Sequence, residues 1–415
     1  MKKILIILIP ILLVMGHSAK AEEMVTVRLI KNIGSPTTLH FRLRGDYFTP
    51  DLGIPLFERH QYKLKVHKGR LVLQDGKAMY RLGRTFIIAP KTYDRAHMIF
   101  LNGTPYLGAM AFRLEIDHIR PVNQLPMEDY LKGVVPFEVF PSWHMEALKA
   151  QALAARTYAA SHLHREIVDT IQDQVYGGYL WNPKTTKAVE ETKGEVITYH
   201  GRLIDAFYSA SNGGVTENNA HVWGGENKPF YPIKKDPYDP KQPWQLTFHQ
   251  NQTRADRPIQ WSSTHEKEAK IAENIKQWLR RQGYGPDIKI LDIPRFTIDE
   301  ARNASGRALT GSLTVTFLQR FHGLFRYEEV RLEHVSLKRI RPIFGGDVFK
   351  SYLIDDVTCR KGLCTVKGRG YGHGVGMSQW GASRMGERGK NYKEIIQFYF
   401  PGTDIRSLDE KKVDS

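Results

Sequence analysis

One carboxylate in this sequence stands in a setting that favours proton-transfer chemistry. Glu138 lies within residues 134–141, which read VVPFEVFP, so its neighbours are apolar and aromatic. Burial disfavours the ionised form of a carboxyl group, and the raised pKa lets a glutamic acid keep and donate a proton near neutral pH. Glu138 is therefore a candidate general acid. The alternative is a structural carboxylate, held by a helix N-terminus or by a cation such as Arg156, whose pKa would be lowered.

A glycine-rich tract near the C-terminus is the second candidate for chemistry. Residues 368–376 read GRGYGHGVG, with a glycine at every second position, and MSQWG follows. Such a tract indicates backbone that bends or approaches another group closely. It lacks the spacing of a P-loop and of a dinucleotide-binding fingerprint. We predict that the tract around His373 contacts a ligand; the alternative is a histidine in an ordinary turn.

The third candidate is a hydroxyl-rich segment that ends in a Gly-Gly turn. Residues 208–214 read YSASNGG. Ser209 or Ser211, with His373 and an aspartate, would supply the groups of a hydrolase triad. The sequence has no Gly-x-Ser-x-Gly nucleophile elbow, and hydrogen bonding at a turn explains the same residues. Both interpretations stay open at this level.

Cysteine and histidine usage argues against a metal centre. The chain has two cysteines, Cys359 and Cys364, which are too few for a four-thiolate zinc site, and it has no His-Glu-x-x-His motif. We predict no metal and no cofactor. In an exported chain the two cysteines are expected to form a disulfide bond across a hairpin turn.

The patterns around these candidates predict an α+β protein. Apolar and polar residues alternate within residues 24–117, which indicates a β-rich N-terminal region. Residues 142–164 are rich in alanine, with apolar positions three and four apart, and predict a buried helix capped by Ser142. Residues 263–281 predict a further helix, and residues 313–317 a strand.

Composition and the first residues limit the class of partner. The chain has 415 residues, 41% of them hydrophobic, and a net charge of +16, which is typical of a folded protein that attracts anionic partners. Residues 1–21 resemble a signal peptide, with an apolar run after Lys2 and Lys3. We expect an exported protein of the periplasm or cell-wall space, with no transmembrane segment after signal cleavage and no nucleic-acid partner. A retained N-terminal anchor is the alternative.

Several motifs in register resemble the stage II sporulation protein D family (SpoIID/LytB). They are PMEDYLKGVVPFE at 126–138, EALKAQALAARTY at 146–158, QVYGG at 174–178, AFYSASNGG at 206–214, VWGG at 222–225, the tract at 370–381 and YFPG at 399–402. The resemblance implies a catalytic core in which the alanine-rich helix packs on antiparallel strands. It divides the chain into a β-rich region (22–115), a first core part (116–225), an inserted second lobe (226–350), a second core part (351–406) and a polar tail (407–415).

The resemblance also implies an activity. The family's sporulation member is a lytic transglycosylase, which cuts peptidoglycan between N-acetylmuramic acid and N-acetylglucosamine and leaves a 1,6-anhydro end. Its catalytic glutamate corresponds to Glu138. The implied substrate contacts are Arg156, Tyr158, Ser209, Ser211, His373, Met377 and Gln379. One carboxyl group is enough, because the sugar's own 6-hydroxyl attacks and replaces the second carboxylate of ordinary glycosidases. Some members bind zinc through cysteines where this chain has Asp173, which favours a metal-free site.

Three functions follow from these observations. The first is an exported lytic transglycosylase that acts on glycan strands stripped of stem peptides. The second is a non-catalytic amidase enhancer, as in other members of the family, which binds peptidoglycan and stimulates an N-acetylmuramoyl-L-alanine amidase. The third is a serine hydrolase built from Ser211 and His373.

Overall fold

The computed structural model describes residues 23–51, 53–253 and 259–408. These residues form a mixed structure of sheets and helices with a β-rich N-terminal region, which confirms the predicted α+β class. The predicted signal peptide, residues 1–21, lies outside the described residues. Within the described ranges, every helix is too short or too polar to cross a membrane.

Two sheets make up the N-terminal region. Their strands are β1 (Met24–Arg28), β2 (Thr38–Arg44), β3 (Tyr47–Phe48), β4 (Gln61–His67), β5 (Arg70–Asp75), β6 (Ala78–Arg81), β7 (Thr85–Pro90), β8 (Met98–Leu101), β9 (Thr104–Tyr106), β10 (Ala109–Glu115), β11 (His118–Pro126) and β12 (Ile167–Val168). Among the described residues, one sheet has the order β6-β5-β4-β2-β8-β9 and the other β12-β1-β11-β10-β7-β3. Strict alternation along β2 buries Phe41, which stacks on Phe112 of β10. The period-two pattern thus gives both sheets a shared core.

The alanine-rich helix lies between two hydrophobic clusters. The helices of this part are α1 (Met127–Lys132), α2 (Val135–Glu138), α3 (Met145–Ser161) and α4 (Pro183–Glu191). Leu148 of α3 belongs to the core of the N-terminal sheets, whereas Leu153 belongs to a separate cluster. Because alanine side chains are small, neighbouring elements can pack closely against both faces of α3. The predicted Ser142 cap is wrong, because His144 has the extended backbone of an N-cap and its side chain accepts the N–H of Glu146.

The chain then enters a lobe with a core of its own. It passes through β13 (Glu195–Tyr199), β14 (Arg202–Leu203), β15 (Tyr208–Ser209) and α5 (Asn219–Trp223). The lobe consists of β16 (Pro243–His249), α6 (Ala269–Arg281), β17 (Ile288–Ile298), β18 (Thr310–Phe321), β19 (Leu324–Ser336), α7 (Leu337–Phe344), β20 (Leu353–Arg360) and β21 (Leu363–Arg369). Its core runs from Trp244 to Val366, beyond the expected limits of 226–350. The Cys359–Cys364 disulfide joins β20 to β21 beside their turn.

The C-terminal segment returns to the alanine-rich helix. It contains β22 (Met377–Ser378), α8 (Gln379–Glu387), α9 (Tyr392–Tyr399) and β23 (Asp404–Ser407). β22 pairs in parallel with β15, and β23 pairs antiparallel with β13. These pairings bring the glycine-rich tract beside the hydroxyl-rich segment. The division into sequence modules stays a prediction, since the main core includes residues of both the N-terminal sheets and the helical part.

Candidate active site

Glu138 lies at the end of α2, between two elements that are distant in sequence. Its Oε1 accepts a hydrogen bond of 2.6 Å from the backbone N–H of Val175. The side-chain amide of Gln379 donates to the Glu138 carbonyl at 3.2 Å and lies 3.5 Å from Oε2. As a whole residue, Glu138 is half-buried.

The surroundings of Glu138 favour its protonated form. Burial raises the pKa of Glu138 from its ordinary value of 4.5 to about 7. The donors on Val175 and Gln379 and the charge of Lys31 act in the opposite direction and are outweighed. Within the described ranges, Glu138 takes part in no ion pair. The alternative of a carboxylate held by Arg156 is therefore wrong.

Arg156 is a structural residue and does not line the cleft. Its side chain is fully buried, and Nε and Nη2 each donate to the carboxylate of Glu128 at 2.8 Å. It also donates to the carbonyls of Val189 and Glu195. The arginine thus ties α3 to α1, α4 and β13, and the implied substrate contact is wrong because no part of the side chain reaches the surface.

A cavity of about 310 Å³ lies near Glu138, because it is lined by Tyr208, a residue whose pKa is raised by burial and by the charge of Glu138. Its lining residues are Tyr158, Ile171, Gln172, Asp173, Phe207, Tyr208, Trp223 and His373. Two predicted contacts, Tyr158 and His373, therefore reach the same cavity. Trp223 was singled out only as part of the VWGG motif, and its exposed ring gave no further sign in the sequence. Phe207 lies between Tyr158 and Trp223, at centroid distances of 6.2 and 4.4 Å.

Asp173, at the wall of this cavity, is held as an ionised group. The hydroxyl of Tyr158 donates to Oδ1 at 2.5 Å, and Arg165 donates to both oxygens. Burial alone would raise the pKa of Asp173, but these hydrogen bonds and the charge of Arg165 outweigh it and lower the pKa. Within the described ranges, no three His, Cys, Asp or Glu side chains are placed to share a metal ion.

His373 is neutral near physiological pH. Burial lowers its pKa to about 4, and the charges of Arg307 and Arg341 act in the same direction. Its Nδ1 accepts the N–H of Val375 at 3.0 Å, and its ring faces Trp223 at 5.0 Å. A neutral imidazole packed on an aromatic ring is suited to binding an uncharged group.

The two serines do not form a catalytic triad with His373. Ser211 is buried and donates to Asp239 at 2.8 Å. Ser209 is also buried, and its Oγ accepts the N–H of Gly374 at 3.2 Å. Within the described ranges neither hydroxyl has a hydrogen bond to His373, so the geometry does not support the serine-hydrolase interpretation.

Met377 and Gln379 are two residues apart in the sequence, but their side chains lie in different surroundings. Met377 is 1% exposed and packs in the cluster that contains Leu153, so it does not face the cleft. Gln379 begins α8 and reaches Glu138. The implied contact is thus wrong for Met377, whereas the structure brings Gln379 to the carboxyl group.

Arg307 of the second lobe holds the chain around the hydroxyl-rich segment and packs against the glycine-rich tract. It is 4% exposed and donates to the carbonyls of Asn212 and Val215 at 3.0 and 3.2 Å. Glu217 lies 3.7 Å from the guanidinium. Gly374 has φ of 78°, and a Cβ there would lie 2.0 Å from Arg307 Nη2, so only glycine fits. In the sequence, Arg307 stands outside the motifs that carry the family resemblance.

A glycine also makes room for the residue before Glu138. The ring of Phe137 lies against Gly177, where a Cβ would be 2.1 Å from two ring carbons. Gly177 in turn donates its N–H to the carbonyl of Gly133. The QVYGG motif therefore supplies both the Val175 amide that binds Glu138 and the space that the Phe137 ring occupies.

Taken together, the geometry defines an α+β protein in which Glu138, a carboxylic acid with a raised pKa, interacts with Tyr208 in the wall of an aromatic cavity. The model of the family described as "Stage II sporulation protein" matches residues 115–199. The chain is 39% identical to the amidase enhancer of Bacillus subtilis (strain 168) over 83% of this chain and 50% of that protein. It is 32% identical to a Brachyspira hyodysenteriae (strain ATCC 49526 / WA1) protein named as uncharacterized, over 74% of this chain and 73% of that one. It is 28% identical to stage II sporulation protein D of Bacillus amyloliquefaciens, over 69% of this chain and 76% of that protein.

This chain belongs to the SpoIID family. It aligns with half the length of the amidase enhancer.

Proposed function

We propose that this protein is an exported lytic transglycosylase that cuts the glycan strands of peptidoglycan. Its substrate is the bond between N-acetylmuramic acid and N-acetylglucosamine in strands freed of stem peptides, and its product carries a 1,6-anhydro end. Glu138 acts as general acid and then as general base. The observation that carries this proposal is the Glu138 carboxyl group, whose pKa burial raises to about 7 and whose charge acts on Tyr208 in the wall of the aromatic cavity.

The reaction needs one group that can give up a proton and take it back. Protonated Glu138 donates its proton to the glycosidic oxygen as the bond from C1 to that oxygen breaks. The sugar's 6-hydroxyl oxygen then bonds to C1, and the Glu138 carboxylate removes the hydroxyl proton. No water is consumed, and the carboxyl group ends in its starting state.

The hydrogen bonds to Glu138 suit both states of this cycle. The N–H of Val175 donates to Oε1, which stabilises the carboxylate once its proton has left. A pKa of about 7 gives comparable populations of acid and carboxylate at neutral pH. A general acid is most effective when its pKa is close to the working pH.

The cavity favours an uncharged sugar ring. Trp223 and His373 present flat surfaces, and His373 is neutral. Asp173 is tied to Arg165 and Tyr158, so it is not a second free carboxylate of the kind that ordinary glycosidases use.

The test is to identify the ends that the purified protein produces. Peptide-free glycan strands and intact sacculi are incubated with wild-type protein and with Glu138→Gln, and the products are analysed by mass spectrometry. We expect 1,6-anhydro ends from the peptide-free strands and none from the variant. Glu300→Gln, which changes an exposed glutamate of the second lobe, is the matched control and should leave cleavage unchanged. Reducing ends would indicate ordinary hydrolysis and contradict the proposal.

A second candidate function is favoured by one comparison. The name of the Bacillus subtilis relative, amidase enhancer, supports a role in which the chain binds peptidoglycan and stimulates an N-acetylmuramoyl-L-alanine amidase. In that case the wild-type protein would release no glycan fragments, but it would bind sacculi and increase peptide release by an added amidase. The Glu138→Gln variant would then retain full stimulation.

A further inference from the structure

Three aromatic side chains form an exposed surface next to Glu138. Phe140, Trp143 and Trp380, which we call the aromatic shelf, contact one another at centroid distances of 5.6, 5.9 and 5.0 Å. Phe140 is 58% exposed, and the two tryptophans are half-buried. Single exposed apolar residues are ordinary, but a contiguous aromatic patch beside a cleft indicates a binding surface.

The shelf is preformed. Trp143 packs on the main hydrophobic core and donates its N–H to the Phe140 carbonyl at 3.0 Å. Trp380, in the first turn of α8, donates its N–H to the carbonyl of Ala210 at 3.0 Å. Since the backbone of both tryptophans is already fixed, a ligand loses little free energy in ordering the shelf.

Glu138 contacts residues next to the shelf and interacts with Tyr208 of the cavity described above. Its Oε1 faces Val175, which follows the cavity residue Asp173 by two positions. Its Oε2 faces Gln379, which immediately precedes Trp380 of the shelf. A chain of sugars whose scissile bond lies at the carboxyl group would therefore extend toward the cavity on one side and toward the shelf on the other.

The chemistry of the shelf fits a sugar ring that carries an acidic group. A pyranose ring has an apolar C–H face that can stack on flat aromatic side chains, while its hydroxyl edges stay in water. The ammonium group of Lys184 lies at the edge of the shelf, where it donates to the carbonyl of Ser142 at 3.2 Å and to that of Trp143. A positive charge in this position attracts the lactyl carboxylate of a peptide-free muramic acid residue.

We propose that the aromatic shelf is a second sugar-binding subsite, which stacks a pyranose ring of the glycan on the opposite side of Glu138 from the cavity. This inference extends the proposed function and rests on it for the direction of the strand. Affinity should therefore depend on the length of the glycan strand, because only a strand that spans both the shelf and the cavity makes both sets of contacts.

The test measures binding apart from cleavage. In the Glu138→Gln background, the dissociation constant of chitohexaose, a neutral β-1,4-linked N-acetylglucosamine hexamer, is measured by calorimetry with and without Phe140→Ala. We expect affinity to fall about three- to tenfold, as for the loss of one aromatic contact. The matched control is Phe321→Ala, which removes a ring that is 65% exposed on the second lobe, and it should leave the affinity unchanged. An unchanged affinity in Phe140→Ala would overturn the proposal.

Two further arms separate this inference from the proposed function. If wild-type protein releases no anhydro ends but Phe140→Ala still weakens chitohexaose binding, the subsite stands and the transglycosylase proposal fails. If Phe140→Ala abolishes amidase stimulation and leaves glycan binding intact, the shelf binds a protein and the subsite proposal fails.

Lys184→Gln should weaken binding of peptide-free peptidoglycan strands but not of chitohexaose; equal losses for both would overturn the role of the charge.

Discussion

Replacing Glu138 with glutamine is expected to stabilise the folded protein at alkaline pH while it removes the proton donor. Glutamine has nearly the same shape and can still accept the N–H of Val175, but it cannot ionise. The wild-type carboxyl group, in contrast, is held in a place that disfavours its charge. Stability and catalysis should therefore change in opposite directions in this one variant.

The magnitude follows from the pKa. In the unfolded chain the carboxyl group ionises around its ordinary pKa of 4.5, whereas in the folded protein it keeps its proton up to about 7. Between these values the unfolded state has lost the proton and the folded state has not, so the free energy of unfolding falls as the pH rises and levels off above the folded pKa. Each tenfold change in an acid constant corresponds to about 1.4 kcal/mol, which gives a loss of about 3 kcal/mol.

The assay is urea denaturation of wild-type and Glu138→Gln protein at about pH 4 and about pH 8. At the lower pH the Glu138 carboxyl group is largely protonated in the folded and in the unfolded wild-type protein. Wild type and Glu138→Gln should therefore have nearly equal stability there. At the higher pH the variant should be more stable by about 3 kcal/mol. Glu300→Gln, which alters an exposed carboxylate, should show no such gain.

Two results would refute this reasoning. A Glu138→Gln variant that is no more stable than wild type at the higher pH would mean that the carboxyl group is well solvated or well paired. A gain of equal size at both pH values would mean that the substitution acts through packing and not through ionisation. Either outcome would also remove the main argument for Glu138 as a general acid.

Three other predictions follow. Because Glu138 must be protonated to act, kcat/KM for peptide-free strands should fall about tenfold per pH unit above about pH 7, measured by product release over a pH series. Gly177→Ala places a methyl group 2.1 Å from the Phe137 ring, so we expect a loss of about 1–3 kcal/mol in urea denaturation and slower cleavage, whereas Gly83→Ala, with open space around it, should do neither. Arg307→Lys replaces a forked donor with a single ammonium, and since Arg307 is buried we expect about 2–4 kcal/mol of destabilisation by the same assay; unchanged stability would contradict its role in holding the carbonyls of Asn212 and Val215.

Much of the local structure could be predicted because hydrophobic periodicity is a property of neighbouring residues. The alternation at Val25 and Val27 appears as β1, and the alanine-rich stretch appears as α3. The hairpin that carries Cys359 and Cys364 also forms as expected. In each case the pattern that identifies the element lies within the element itself.

The orientation of the candidate site residues could not be predicted in this way. Arg156 and Ser211 stand in motifs that the resemblance assigns to the cleft, yet Arg156 turns toward the half-buried Glu128 and Ser211 toward the buried Asp239. Whether a polar side chain faces solvent or the interior depends on which partner the fold brings near it, and the partner of Arg156, Glu128, is 28 residues away. The spacing of residues within a motif therefore does not determine whether such a side chain faces solvent or the interior.

For Glu138, too, the sequence determined some features of the site and the tertiary structure determined the others. The amino-acid sequence by itself determined that this carboxylate stands among apolar and aromatic neighbours and just before a buried helix. The tertiary structure decided that its oxygens meet an amide 37 residues away and another 241 residues away, and that Arg156 is occupied elsewhere. The physical reason is that a pKa reflects water excluded from every side of a group, and only the folded chain brings all those sides together.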